Sequence, residues 1–189
     1  PAAYTYNADE VLANSKMTNN NSTNALVSYP LHNNLCRSVE NLYNNDLTND
    51  IWTHDSIGYF GMVIPGTRTY VVLGRSGGHE SGMGYGIPPY GGNKGHYTNG
   101  QYDKYPFYWM YDLTDMEKVK NGQMAPDEIE PYAYGVFDVP FQTSVVNAIS
   151  GGSYDEETGL LYLSIYRSDR TEGSYTNAPV IAVYRFDVQ

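Results

Sequence analysis

Glycine is missing from the first 57 residues of this 189-residue chain, and all 19 glycines lie from Gly58 onward. Cysteine is almost absent as well. The single Cys36 excludes an internal disulfide and is one thiolate too few for a cysteine-based zinc site, so stability must come from packing. Basic residues are scarce: 11 Lys and Arg face 21 Asp and Glu, for a net charge of −10. Such a surface repels a phosphate backbone, which excludes nucleic acid as a partner. No apolar run has the length of a membrane span, and no basic-then-apolar leader is seen. Pro1 stands where Met would, which points to a processed product or a fragment.

Charged residues make up 17% of the chain, against roughly 25% in an ordinary globular domain. Polarity is carried instead by Asn, Ser, Thr, Gly and above all Tyr, with 20 Tyr against 5 Phe and 2 Trp. A phenol has an apolar face and a hydroxyl that wants a partner, so it favours half-buried positions. The profile suits a secreted or cell-surface all-β protein with large loops.

The glycine boundary divides the chain into an Asn-rich segment, 1–56, a candidate partial blade, and a region 57–189 that reads as strands. Twelve of the 17 Asn fall in the first 50 positions, and the run Thr18 to Asn24 reads as a loop. It carries two overlapping N-x-S/T sequons, at Asn20 and Asn21, which mean nothing in a bacterial or cytosolic protein. Leu26 to Tyr29 reads as a strand, and Val39 to Tyr43 as strand or helix.

Six further stretches rich in β-branched and aromatic residues predict strands: Ile57–Ile64, Thr69–Leu73, Phe107–Tyr111, Tyr132–Val139, Leu160–Tyr166 and Val180–Phe186. Pro65-Gly66 and the loop Asp155 to Gly159 predict two antiparallel hairpins. Thr114 and Glu117 have the spacing of a capping box for a short inserted helix over 115–121, stopped by Asn121-Gly122.

Three strands end in an aromatic residue, Asp and a branched aliphatic: Tyr111-Asp112-Leu113, Phe137-Asp138-Val139 and Phe186-Asp187-Val188. The last two Asp are 49 positions apart, near the period of four-stranded propeller blades. Gly61 to Gly74, the Gly-rich loop to Gly86, Tyr108 to Leu113, Glu130 to Ala133, Gly151 to Ser164 and Pro179 to Tyr184 follow in order. Together they resemble the C-terminal part of a group of uncharacterised secreted bacterial β-propeller-like proteins, over about residues 57–189. The resemblance implies an all-β fold of β-propeller-like antiparallel blades and an extracytoplasmic setting. It carries over no reaction and no catalytic residue. About four blades fit this length, the lower limit for closure. The expected propeller is therefore incomplete, either a fragment or completed by another chain.

Chemistry concentrates in Ser76 to Gly86, which holds five glycines with His79 beside Glu80. It runs on into a long Tyr-rich segment, and loops of this length are functional or disordered. His79, Glu80, Tyr85 and Tyr90 are expected to line a ligand-binding surface, with Arg68 at the base of the loop. The alternative is that His79 and Glu80 cap turns and the Tyr rings pack the loop onto its own domain. Tyr faces beside Asn93, Asn99 and Gln101 suit a glycan.

Six acids between Asp112 and Glu130 read as a solvated face rather than a calcium site, and nothing indicates a metal or cofactor. Two function classes follow. The first is a binding or structural module, which could also assemble through open strand edges with another copy or the missing part of the same protein. The second is a carbohydrate-active enzyme, a glycoside hydrolase or lyase. It would pair Glu80 with Asp103 or Asp55 as its two carboxylates.

Overall fold

The structure, a computed structural model, describes residues 3–6, 8–13, 23–29, 44, 46–82, 103–140, 149–169, 171–173 and 178–185. In chain order these give β1 (Ala3–Tyr6), α1 (Ala8–Ala13), β2 (Thr23–Val27), β3 (Ile57–Val63), β4 (Thr69–Gly77) and β5 (Lys104–Asp112). There follow α2 (Leu113–Lys120), β6 (Ala133–Val136), β7 (Ile149–Asp155), β8 (Leu160–Asp169) and β9 (Ala178–Arg185). The fold is all-β with short helices. β1 and β2 form an antiparallel ribbon, β3-β4-β5-β6 a four-stranded meander and β7-β8-β9 a three-stranded one. Among the described residues none of the three sheets closes.

Each of the six strand stretches contains a strand, and both hairpins form. Gly66 (φ +73°) and Gly159 (φ +70°) take the left-handed turn positions that an L side chain disfavours. β1 and α1 carried too little pattern to be expected, and of β7 only Ser153-Tyr154, the arm just before the second hairpin loop, was expected. The loop assigned to 18–24 ends early, because Thr23 and Asn24 already pair with Tyr6 and Thr5 in the ribbon. The stretch Val39 to Tyr43 and both sequon asparagines lie outside the described residues.

Alternation along the four-stranded meander sends successive side chains to opposite faces. Val71 and Leu73 on β4 join Ile149, Leu161, Leu163, Ile165 and Ala182 in a layer against the three-stranded sheet. Val72 faces the other way, with Phe107, Trp109 and Tyr111 of β5, toward Ala3, Val27, Trp52 and the α2 residues Met116 and Val119. The meander is thus covered on both faces. Each such large side chain contributes about 1.5–3 kcal/mol by burial. Packing also crosses the compositional step at 56/57: Trp52 lies 4.7 Å from Trp109 between ring centroids, and the Trp109 Nε1–H donates to the Ile51 carbonyl at 2.7 Å.

Two sequence expectations are corrected here. The cap of α2 is Asp112, whose carboxylate accepts from the Thr114 amide at 2.7 Å, so the helix starts at Leu113 and Thr114 lies inside it. The Thr114 hydroxyl and the Glu117 carboxylate bind Arg68 instead of closing a capping box. The 49-residue spacing also joins unlike places. Asp138 follows β6, the fourth strand of its meander, whereas Asp187 follows β9, the third strand of its own.

Candidate functional site

Seven of the eight buried polar residues among those described converge on one end of the four-stranded meander: Asn44, Asn49, Thr53, Asp55, Ser56, Ser76 and Asp103. Buried polar groups must find partners inside, so this clustering fixes the segment 44–56 against β4 and the loop that follows it. Asn44, in the left-handed conformation that Asn tolerates, donates to the Gly78 carbonyl and accepts from the Asn49 amide at 2.7 Å. Thr53 donates its hydroxyl to the Gly77 carbonyl. Asp55 sits between Arg75 and Lys104, with each cation 3.3 Å from one of its oxygens.

His79 is drawn into this network. Its Nδ1 lies 3.0 Å from the Asn49 carbonyl, which can only accept, so Nδ1 carries the proton. In the neutral ring Nε2 is then the acceptor, and the Ser76 hydroxyl donates to it at 2.7 Å. Ser76 in turn accepts from Ser56 at 2.7 Å, and the Ser56 oxygen accepts from the Thr53 amide. The imidazole also stacks on Phe107, 5.3 Å between centroids and 20° between planes. Ser76 and His79 have the contact of a nucleophile and its base, but Ser76 is fully buried, so a substrate carbonyl has no approach to it.

The loop Gly77 to Gly82 is organised around Asp103. Positive φ at Gly78 (+76°) and Gly82 (+66°) turns three successive amides inward, and all three donate to the Asp103 carboxylate. The Ser81 hydroxyl adds a fourth bond. Three converging amides make an anion cradle, and here the chain's own aspartate fills it. Asp103 is 4% exposed. The Glu80 side chain, by contrast, is exposed, next to Tyr105. Burial, with the charges of Asp103 and Glu80 and hydrogen bonds to them, holds the Tyr105 phenol above its ordinary range.

Of the residues expected to share a ligand surface, His79 and Glu80 lie together, His79 half-buried and Glu80 exposed. Arg68 is not at the base of the loop. It precedes β4 while the loop follows it, so nine strand residues, roughly 30 Å, separate the two. There Arg68 holds Thr114, Glu117 and Asp112. Tyr85 and Tyr90 lie outside the described residues.

Both carboxylates considered as partners of Glu80 are committed: Asp103 to the loop amides and Asp55 to its two cations. Four of the six acids between Asp112 and Glu130 serve local structure. Asp112 caps α2, Asp115 pairs with Lys118, Glu117 with Arg68, and Glu128 accepts from the Ala125 amide. Sequence reasoning missed the supporting set Asn44, Asn49, Thr53, Ser56 and Ser76, and it missed a groove of about 600 Å³ between the ribbon and α2. That groove is lined by Asn24, Leu26, Val119, Lys120 and Met124 among others. Neither has a periodic signature, because both depend on residues distant in the chain. Compared with family models, with curated proteins and with solved structures, the chain shows no match.

Proposed function

We propose that this chain belongs to a secreted, β-propeller-like binding module that recognises a glycan at the Gly77 to Gly82 loop and leaves it chemically unchanged. One observation carries the reading: Asp103 immobilises the loop through three backbone amides and the Ser81 hydroxyl while the Glu80 carboxylate stays in water beside the Tyr105 hydroxyl. A carboxylate on a fixed backbone and a phenol suit sugar hydroxyls, and the preorganised loop lowers the ordering cost of binding. His79 supports the loop from beneath. Tyr85 and Tyr90, in the segment that follows, supply aromatic faces for sugar rings.

The propeller-like part of the reading is supported by two consecutive antiparallel meanders packed face to face, since propeller blades are four-stranded meanders arranged around an axis. A setting outside the cell is supported by the low charge and the abundance of Tyr. Binding without turnover is supported by the commitment of Asp55 and Asp103 to internal partners.

The test is a glycan array probed with the labelled chain, followed by titration of any sugar it retains. Glu80→Gln and Tyr105→Phe are each expected to weaken binding about tenfold, the value of one good hydrogen bond. Sugar release that disappears in Glu80→Gln would make the chain an enzyme. Retention of no glycan would remove the reading altogether.

A further inference from the structure

We infer that β9 is a docking edge through which two copies of this chain pair, strand to strand, across a two-fold axis. An unpaired strand edge is a template for another strand, and proteins guard such edges by shortness, bulges, proline, charge or cover. Among the described strands every edge but one is guarded. β1 and β6 have four residues each. β2 lies against α2, and the Ser28 amide just beyond it bonds to the Pro126 carbonyl. β3 breaks register between Gly58 and Phe60, and β7 breaks it between Ile149 and Gly151.

β9 carries such devices only at its ends, Pro179 and a register shift against β8 near Ala178 at one and Arg185 at the other, and none from Val180 to Tyr184. It is eight residues long, contains no glycine and pairs with β8 without interruption from Val180 to Arg185. Its outward residues Ile181 and Val183 are 57% and 53% exposed. The third strand of the four-stranded meander shows the contrast: Phe107, Trp109 and Tyr111 of β5 are buried. There β6 pairs along the strand and the ribbon layer covers its face.

The sequence of β9 favours a second copy as the occupant. In an antiparallel ladder, residues directly opposite share a face, so self-pairing must join like with like. A two-fold axis at Ala182 does this. It sets Ile181 opposite Val183 of the second copy, twice by symmetry, and Tyr184 opposite Val180. The only charge on the strand, Arg185, falls opposite Pro179, so the two arginines lie at opposite ends of the ladder. No acid is present on β9, although the whole chain carries −10. The contact is closed and isologous, giving a continuous six-stranded sheet rather than a fibre. It is independent of the glycan reading, which concerns a different sheet.

The test is sedimentation equilibrium of the 189-residue chain over a range of concentrations. A monomer–dimer equilibrium is expected, and a monomer up to about 100 µM, a free energy of association weaker than roughly 5.5 kcal/mol, would overturn the inference. Ile181→Lys with Val183→Lys places lysines opposite one another and is expected to raise the dissociation constant at least about a hundredfold. The matching glutamate pair should behave likewise. Mixing the two variants should restore a heterodimer, because each Lys then faces a Glu. Dimers that persist in the lysine variant, or a mixture that stays monomeric, would place the contact elsewhere and overturn the assignment. Circular dichroism of each variant checks that these exposed positions leave the fold intact.

Discussion

Ser81 meets Asp103 twice: its amide and its hydroxyl both donate to Oδ2 of the aspartate, at 2.8 and 2.7 Å. With the amides of His79 and Glu80 added, four donors depend on one buried carboxylate. Asp103→Asn keeps the shape but replaces one acceptor oxygen by an NH₂ that faces donors. Hydrogen bonds to a charged group contribute about 1.5–3 kcal/mol, so the substitution is expected to lower the unfolding free energy by about 2–3 kcal/mol. Urea unfolding measures it, and an unchanged midpoint would mean that the loop does not hang from Asp103.

His79 and Glu80 are neighbours in sequence with opposite roles. Removing the imidazole takes one partner from the Asn49 carbonyl and one from the Ser76 hydroxyl, and it uncovers one face of Phe107. His79→Ala is expected to cost about 1–3 kcal/mol. Glu80→Ala, at an exposed side chain, should stay within about 0.5 kcal/mol. Thermal melts of the two variants separate them. Equal and negligible shifts would return His79 to the ligand surface and remove it from the framework.

That division marks the limit of what the sequence discloses. Strand stretches such as Thr69 to Leu73 were legible because alternation and β-branching are local properties. So were the turns at Gly66 and Gly159, which need a residue able to take positive φ. The end of α2 was legible at Asn121-Gly122, yet its start was misread. Both Asp112 and Thr114 are good caps, and Arg68, 46 positions before Thr114, decides between them by binding the threonine. The polar network was invisible for the same reason. The Ser56–Ser76 bond spans 20 residues and the Asn49–His79 bond spans 30, and no spacing rule relates them. Arg68 and His79 looked adjacent on paper, but an extended strand turns a short interval into a long distance.

Alkali should unfold the ribbon layer before ordinary chemistry does. Burial holds the phenols of Tyr29, Tyr70 and Tyr111 above their ordinary value of 10.0. The unfolded chain ionises them near that value, while the folded chain keeps them neutral. Their contribution is therefore fully present below pH 10.0 and lost as the pH rises toward the raised folded values. Phenolate absorbance and tryptophan fluorescence, followed together, check this, since Trp52 and Trp109 are the only two tryptophans and both lie in that layer. A fraction of the tyrosines should ionise only as the fluorescence changes. Complete ionisation near the ordinary value with the fluorescence intact would show these rings to be open to water.

Gly74 sets the position of everything at this end of the meander. A Cβ there would stand 1.9 Å from the Ile57 carbonyl oxygen and 3.0 Å from the Gly58 Cα, both backbone atoms that cannot rotate away. The close approach arises where β3 shifts register between Gly58 and Phe60, just after the buried Asp55 and Ser56. Gly74→Ala must therefore push β3 off β4 and pull Asp55 away from Arg75 and Ser56 away from Ser76. A cost of about 3 kcal/mol or more is expected, at the upper end for overpacking because backbone must move. Gly151 is the control. Nothing lies within 4 Å of a Cβ built there, and its φ is outside the left-handed region. Gly151→Ala should be neutral or stabilise by up to about 1 kcal/mol through the unfolded chain's lost freedom. Chemical denaturation of both variants decides it. If Gly74→Ala unfolds at the wild-type midpoint, the β3–β4 contact is looser than the register of this sheet requires, and the network anchored on Asp55 and Ser56 does not hold the loop.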